Sequence, residues 1–61
     1  MANLTSKELT ALEDQINCEQ VLVKKYRAMS YLCNDSKIKS DLEGIATKHQ
    51  THYDKLMTFL Q

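Results

Sequence analysis

The chain has no proline, no tryptophan and a single glycine, Gly44. Proline and glycine interrupt helices more sharply than any other residues. Their scarcity means that little here would stop a helix once it has begun. Cysteine is also sparse, with two residues, Cys18 and Cys33. That is too few for a disulfide-stapled secreted scaffold. No window approaches the roughly 20 apolar residues of a membrane span, so no membrane segment is expected. The opening Met1-Ala2-Asn3 leads straight into polar sequence, without the apolar stretch of a signal peptide. Net charge is missing too: eight basic residues balance eight acidic ones, and the two signs are interspersed. Without a basic stripe, nucleic acid is a poor partner. Without a block of like charge, a disordered tail is not expected. The chain also lacks a glycine-rich phosphate loop and a nucleophilic triad.

What is present is helix-forming sequence. Sixty-one residues make one small domain, of a size that is marginal alone and gains from a metal or a partner. Thr5-Ser6-Lys7-Glu8 has the form of a capping box and predicts a helix over about 6–33. Asn34-Asp35-Ser36 then offers turn and N-cap chemistry. A second helix is predicted over about 36–60, with Gly44 inside it. Two long helices joined by a short turn fold back antiparallel, so the fold class is all-α, an antiparallel helical hairpin.

Alternating three- and four-residue steps trace an apolar seam along each helix. In the first it reads Leu9, Leu12, Ile16, Glu19, Val23, Tyr26, Ser30, Cys33; in the second Ile38, Leu42, Ile45, His49, His52, Leu56, Phe59. Glu19, His49 and His52 are the exceptions that need explaining. With the turn near Asp35, all three lie roughly 21 to 26 Å from it at 1.5 Å per residue. An antiparallel hairpin therefore sets them in one layer of the core.

Two chemistries suit such a layer. Imidazole nitrogen and carboxylate oxygen ligate zinc, iron or manganese, which makes Glu19, His49 and His52 candidate metal ligands. Equally, a buried carboxylate bonded to histidine can fix register and partner without any ion. Cys18 and Cys33 lie ~22 Å apart along one helix, too far for a disulfide within the chain. They read as small buried hydrophobes, as an intermolecular cross-link, or, for Cys18, as a soft metal ligand. Tyr26 and Tyr53 fall at helical spacing and read as core.

A second apolar stripe flanks each seam: Ala11, Cys18, Leu22, Met29 and Leu32 on one helix, Ala46, Tyr53, Met57 and Leu60 on the other. One hairpin cannot bury two stripes per helix, whereas a twofold dimer can. A homodimeric four-helix bundle is therefore expected, with Leu22, Met29, Tyr53, Met57 and Leu60 at its interface.

Several stretches carry a family resemblance. Glu19-x6-Tyr26, a turn with Asn34-Asp35, Leu42-x2-Ile45-Ala46 and His52-x3-Leu56 are similar to one hairpin half of the ferritin-like proteins. More closely, Leu4-Thr5-Ser6-Lys7-Glu8-Leu9, Glu19-Gln20-x3-Lys24-Lys25-Tyr26 and Lys48-His49-Gln50-Thr51-His52-Tyr53 resemble the Coat F family of spore coat proteins. The resemblance covers nearly the whole chain, and the Lys-His-Gln-x-His-Tyr run is its most specific part. It implies a structural or assembly role, without catalysis, in the mother-cell cytoplasm and spore coat, with other coat proteins as partners. The ferritin-like likeness implies an ancestral metal layer that Glu19 and His52 match. His49 stands where a second Glu would be, a departure that argues against oxidase chemistry. A transition-metal-binding bundle is the alternative expectation.

Overall fold

A computed structural model describes residues 3–60. It is all-helical: α1 spans Ser6–Leu32, α2 spans Ser36–Met57, and a 3-10 turn, Thr58–Leu60, follows α2 directly. Both starts are chemically specified. The Thr5 hydroxyl accepts from the Glu8 N–H at 3.1 Å, and Glu8 Oε1 accepts from the Thr5 N–H at 2.9 Å. This reciprocal pair satisfies amides that the first helical turn leaves free. The Thr5 amide holds the Glu8 carboxyl below its ordinary value of 4.5. At the second start Asp35, not Ser36, is the cap: its Oδ1 accepts from the Ile38 N–H at 2.9 Å.

The first helix stops one residue short of the predicted 33. Cys33 is extended (φ −82°, ψ 131°), and its N–H bonds back to the Ser30 carbonyl at 3.1 Å. Its thiol donates to the Asp35 carbonyl at 3.5 Å, so Cys33 belongs to the turn. No described residue needs a positive φ to make the reversal.

The helices run antiparallel. Ser30 meets Lys39 and Glu43, while Glu19, further back along α1, meets His49 and His52 further along α2. Ile16, Val23 and Ala46 are the buried apolar side chains among the described residues; Glu19 and Ser30 are buried beside them. The particle measures 46 × 15 × 11 Å, so a layer 21 to 26 Å from the turn sits near its mid-length. Glu19 is itself the central residue of the 27-residue α1.

α2 is rotated relative to the predicted seam. Ala46, expected on the flank, is 1% exposed, whereas Ile38 and Ile45, expected in the seam, are 52% and 36% exposed. The line facing α1 is Leu42–His49–Leu56, all half-buried, with Ala46 and Tyr53 on one side of it. A methyl group lets two backbones approach closely, and a β-branched side chain at that point would hold them apart. Cys18 is exposed and Cys33 half-buried, both as free thiols. The expectation of two buried small hydrophobes therefore does not hold for Cys18, which lies away from the α1–α2 contact.

Candidate functional site

The structure brings Glu19, His49 and His52 together. Glu19 lies mid-α1 on the face turned to α2; His49 and His52, one turn apart on α2, reach it from the opposite side. His49 Nδ1 lies 2.6 Å from Glu19 Oε1, and His52 Nδ1 lies 3.4 Å from Oε2. One ligand atom from each of the three falls within 4.8 Å of the other two. Burial is graded: the Glu19 side chain is 8% exposed, His49 24% and His52 56%. The layer is closed at the carboxylate and open at His52.

Two further residues belong to the site: Gln15, which the sequence did not single out, and Tyr26, expected in the core. Gln15, one turn before Glu19, donates from Nε2 to Glu19 Oε2 at 3.3 Å. Tyr26 stacks on His49, with rings nearly parallel and centroids 5.8 Å apart, while the His52 ring meets His49 edge-on. Both neighbours were visible as spacing, since Gln15 and Tyr26 sit four before and seven after Glu19. Their chemistry gave no reason to single them out.

The short His49–Glu19 contact bears on one proton position. The bond from His49 holds the Glu19 carboxyl below its ordinary 4.5; burial pushes the other way, and the Gln15 bond and the nearby imidazoles add to the lowering. An ionised carboxylate only accepts. The short contact therefore assigns the proton of His49 to Nδ1, which leaves Nε2 with the lone pair in the neutral ring. Neither Nε2, of His49 or of His52, has a hydrogen-bond partner among the described residues. A carboxylate that grips the Nδ1–H of an imidazole is the usual means of orienting a metal-binding histidine.

The donor set fits a transition metal on its chemistry. One carboxylate and two imidazoles are nitrogen and oxygen ligands of the kind zinc, iron and manganese take. Adjacent ligands on a tetrahedral zinc are about 3.4 Å apart; here one atom of each residue lies within 4.8 Å of the others. The set is short of four ligands within one chain.

A second polar cluster lies nearer the turn. Ser30 is 2% exposed, and its hydroxyl lies 3.2 Å from the Lys39 carbonyl and 3.1 Å from Glu43 Oε1. Lys39 Nζ returns to the Ser30 carbonyl at 3.3 Å. The buried Ser30 hydroxyl and carbonyl are both bonded within the cluster, which suits a register lock.

The expected interface residues fall on two edges. Gln15, Leu22 and Met29 follow one another at seven-residue steps, so Leu22 and Met29 share the edge on which Gln15 meets the His52 side of Glu19. Ile38, Ile45, His52 and Phe59 form the matching row of α2. Tyr53 instead lines a cleft with Gln20, Lys24, Arg27 and Gln50 on the opposite edge. Tyr53 and Met57 are half-buried, and Leu60 is 36% exposed.

Among the described residues, no helix is long and apolar enough to cross a membrane. No family model matches the chain, and no solved structure matches it. Over 58 residues it is 28% identical to the uncharacterised protein YuzM of Bacillus subtilis (strain 168), which spans 95% of this chain and 72% of that protein.

Proposed function

We propose that the chain is a non-catalytic structural and assembly protein that works as a helical homodimer, a ferritin-like four-helix bundle, in the mother-cell cytoplasm and spore coat. The observation that carries the dimer is the apolar edge. Leu22, Met29, Ile38, Ile45 and Phe59 line one side of the hairpin, with the last four between 36% and 52% exposed. The charged and amide side chains Gln20, Lys24, Arg27 and Gln50 line the other. The chain exposes 4774 Å², against about 4,100 Å² expected for a folded monomer of its mass. The excess, roughly 700 Å², is close to the ~800 Å² that each partner buries in a standard interface. The coat setting and the non-catalytic reading are supported by the resemblance along Lys48–Tyr53. Sedimentation at two concentrations, with labelling of the protein in sporulating cells, tests this reading. A stable monomer at all concentrations would refute the dimer, and a signal that never joins the coat would refute the setting.

A specific observation favours a second reading, a transition-metal-binding bundle. Three ligand atoms of the right classes lie within 4.8 Å of one another. Metal analysis of tag-free protein, followed by titration with zinc, iron and manganese, tests it. Protein that neither retains nor takes up an ion would end that reading.

A further inference from the structure

We propose that the trough on the Tyr53 edge is the docking site for one acidic, amphipathic helical segment of a partner protein. The inference rests on the assembly reading above. It names the surface that assembly uses and the chemistry of what that surface takes, on the edge opposite the second copy.

The first observation is shape. Two clefts, of about 190 and 430 Å³, run end to end along this edge. One is lined by Gln20, Val23, Lys24 and Arg27 of α1 with Gln50 and Tyr53 of α2. The other is lined by Arg27, Ser30 and Tyr31 with Lys39, Glu43 and Ala46. Arg27 lines both, which makes them one trough. Its α1 wall, from Gln20 to Tyr31, is about 16 Å long, and its α2 wall, from Lys39 to Tyr53, about 21 Å, at 1.5 Å per residue. Val23 and Ala46 are buried at its floor, and Tyr31 at its rim is 81% exposed. Both walls are helices, whose backbone groups already bond to one another, so an extended peptide would find no sheet edge to join. A helix brings its own backbone bonds and packs its side chains into a groove between two others.

The second observation is charge. After Glu19, α1 carries Lys24, Lys25 and Arg27 and no acid. Lys24 and Arg27, one turn apart on the trough wall, are both exposed. The ion pairs among the described residues are Lys37–Asp41 and the two histidine contacts, so neither cation has one. The nearby acids are already bonded: Glu43 by the Ser30 hydroxyl at 3.1 Å, and Asp54 by the Gln50 amide at 2.9 Å. Lys39 is bonded to the Ser30 carbonyl at 3.3 Å and offsets the charge of Glu43. What the trough offers a visitor is therefore two unpaired cations beside an apolar floor. The complement is a helix with an apolar stripe and carboxylates one turn apart beside it. A guanidinium takes such a carboxylate through two parallel bonds.

The third observation is place. A second copy seated on Leu22, Met29, Ile38 and Ile45 leaves the trough open. A dimer then carries two troughs, and a partner with two acidic helices gains avidity from both.

The test is fluorescence anisotropy of the full-length chain with a labelled synthetic helical peptide of about 14 residues. The peptide carries leucines at three- and four-residue steps, flanked by glutamates one turn apart. The expected result is one peptide per chain, with binding that weakens as salt is raised. Lys24→Glu and Arg27→Glu should each weaken binding by about tenfold or more, as like charges then meet, while circular dichroism stays helical. The same peptide with lysine for every glutamate should bind the double variant. Ile45→Lys should bind the acidic peptide as the wild type does, so failure of the homodimer reading leaves this site standing. Peptide binding by a protein that never joins the coat would refute that setting and likewise leave the site standing. Equal binding of a peptide with glutamine for every glutamate, or binding that neither charge reversal weakens, would overturn the proposal. So would anionic phospholipid vesicles bound by a protein that binds no peptide. A peptide that dissociates the dimer would place the second copy in the trough and overturn it as well.

Discussion

Glu19 and His49 stand thirty residues apart in the chain, yet their side chains meet at 2.6 Å across the middle of the hairpin. The contact ties the centre of α1 to α2 with a charge-assisted bond, the stronger kind of protein hydrogen bond. Gln15 steadies one carboxylate oxygen and Tyr26 backs the imidazole. A pair bonded on this geometry admits one register, because sliding either helix by one residue would rotate a partner out of reach.

The same bond sets a pH dependence. Glu19 is faced by Gln15, His49 and His52, and its folded pKa lies below 4.5, chiefly through the bond from His49. A depressed carboxylate contributes stability that is present above its unfolded pKa and lost as pH falls through the folded one. In chelator-treated protein the Glu19 contribution should therefore hold above about pH 5 and decline on acidification below 4.5. Glu8 has the same sign, so the difference between wild type and Glu19→Gln isolates the effect. Thermal midpoints that fall in parallel for both proteins would show that Glu19 contributes nothing.

Ala46 sets the distance between the helices. It is 1% exposed and shares a cleft wall with the buried Ser30. Ala46→Leu should destabilise the hairpin by about 1–3 kcal/mol, the usual cost of inserting methylenes into a filled contact. Thermal or urea denaturation measures it. A neutral result would place Ala46 beside space that the packing does not fill.

The hairpin and its polar layer were legible because they depend on period and count. A capping box at Thr5–Glu8 and a cap at Asp35 fix where each helix starts, and helical rise then fixes which residues share a height. Rotation about the α2 axis was harder to read. The rows Ile38–Ile45–His52–Phe59 and Ala46–Tyr53–Leu60 are adjacent and both largely apolar, so hydropathy alone does not say which one turns to α1. Size decides it, and size acts only once a partner helix is present: Ala46 fits the close approach and Ile45 does not. Ser30 illustrates the same limit. It was a break in the predicted seam, but its partners Lys39 and Glu43 are typical surface residues and gave no sign of pairing with it.

Gly44 is the one helical position where the sequence works against the fold. It lies on the exposed side of α2, and a methyl group added there would meet nothing within 4 Å. Its role is neither a close approach nor an unusual backbone angle. Gly44→Ala should raise stability by about 0.5–1 kcal/mol through helix propensity and reduced freedom of the unfolded chain. A loss of stability in thermal melts would reveal a contact at Gly44 outside the single chain.

The apolar edge separates stability of the hairpin from association. Ile45 is 36% exposed and Met29 42%, so neither is enclosed by its own chain. Ile45→Lys adds a charge that water solvates in the monomer and that a dimer would have to bury unpaired. Loss of a buried charge from water costs several kcal/mol, enough to shift a dimer dissociation constant by a hundredfold or more, since 1.4 kcal/mol is a factor of ten. Because the substitution leaves the α1–α2 contact intact, far-ultraviolet circular dichroism at high concentration should stay helical while sedimentation reports monomer. Arg27→Glu, on the opposite edge with Tyr53, should leave association unchanged. If instead Arg27→Glu dissociates the protein and Ile45→Lys does not, the second copy sits on the Tyr53 edge, and the histidine layer opens to solvent.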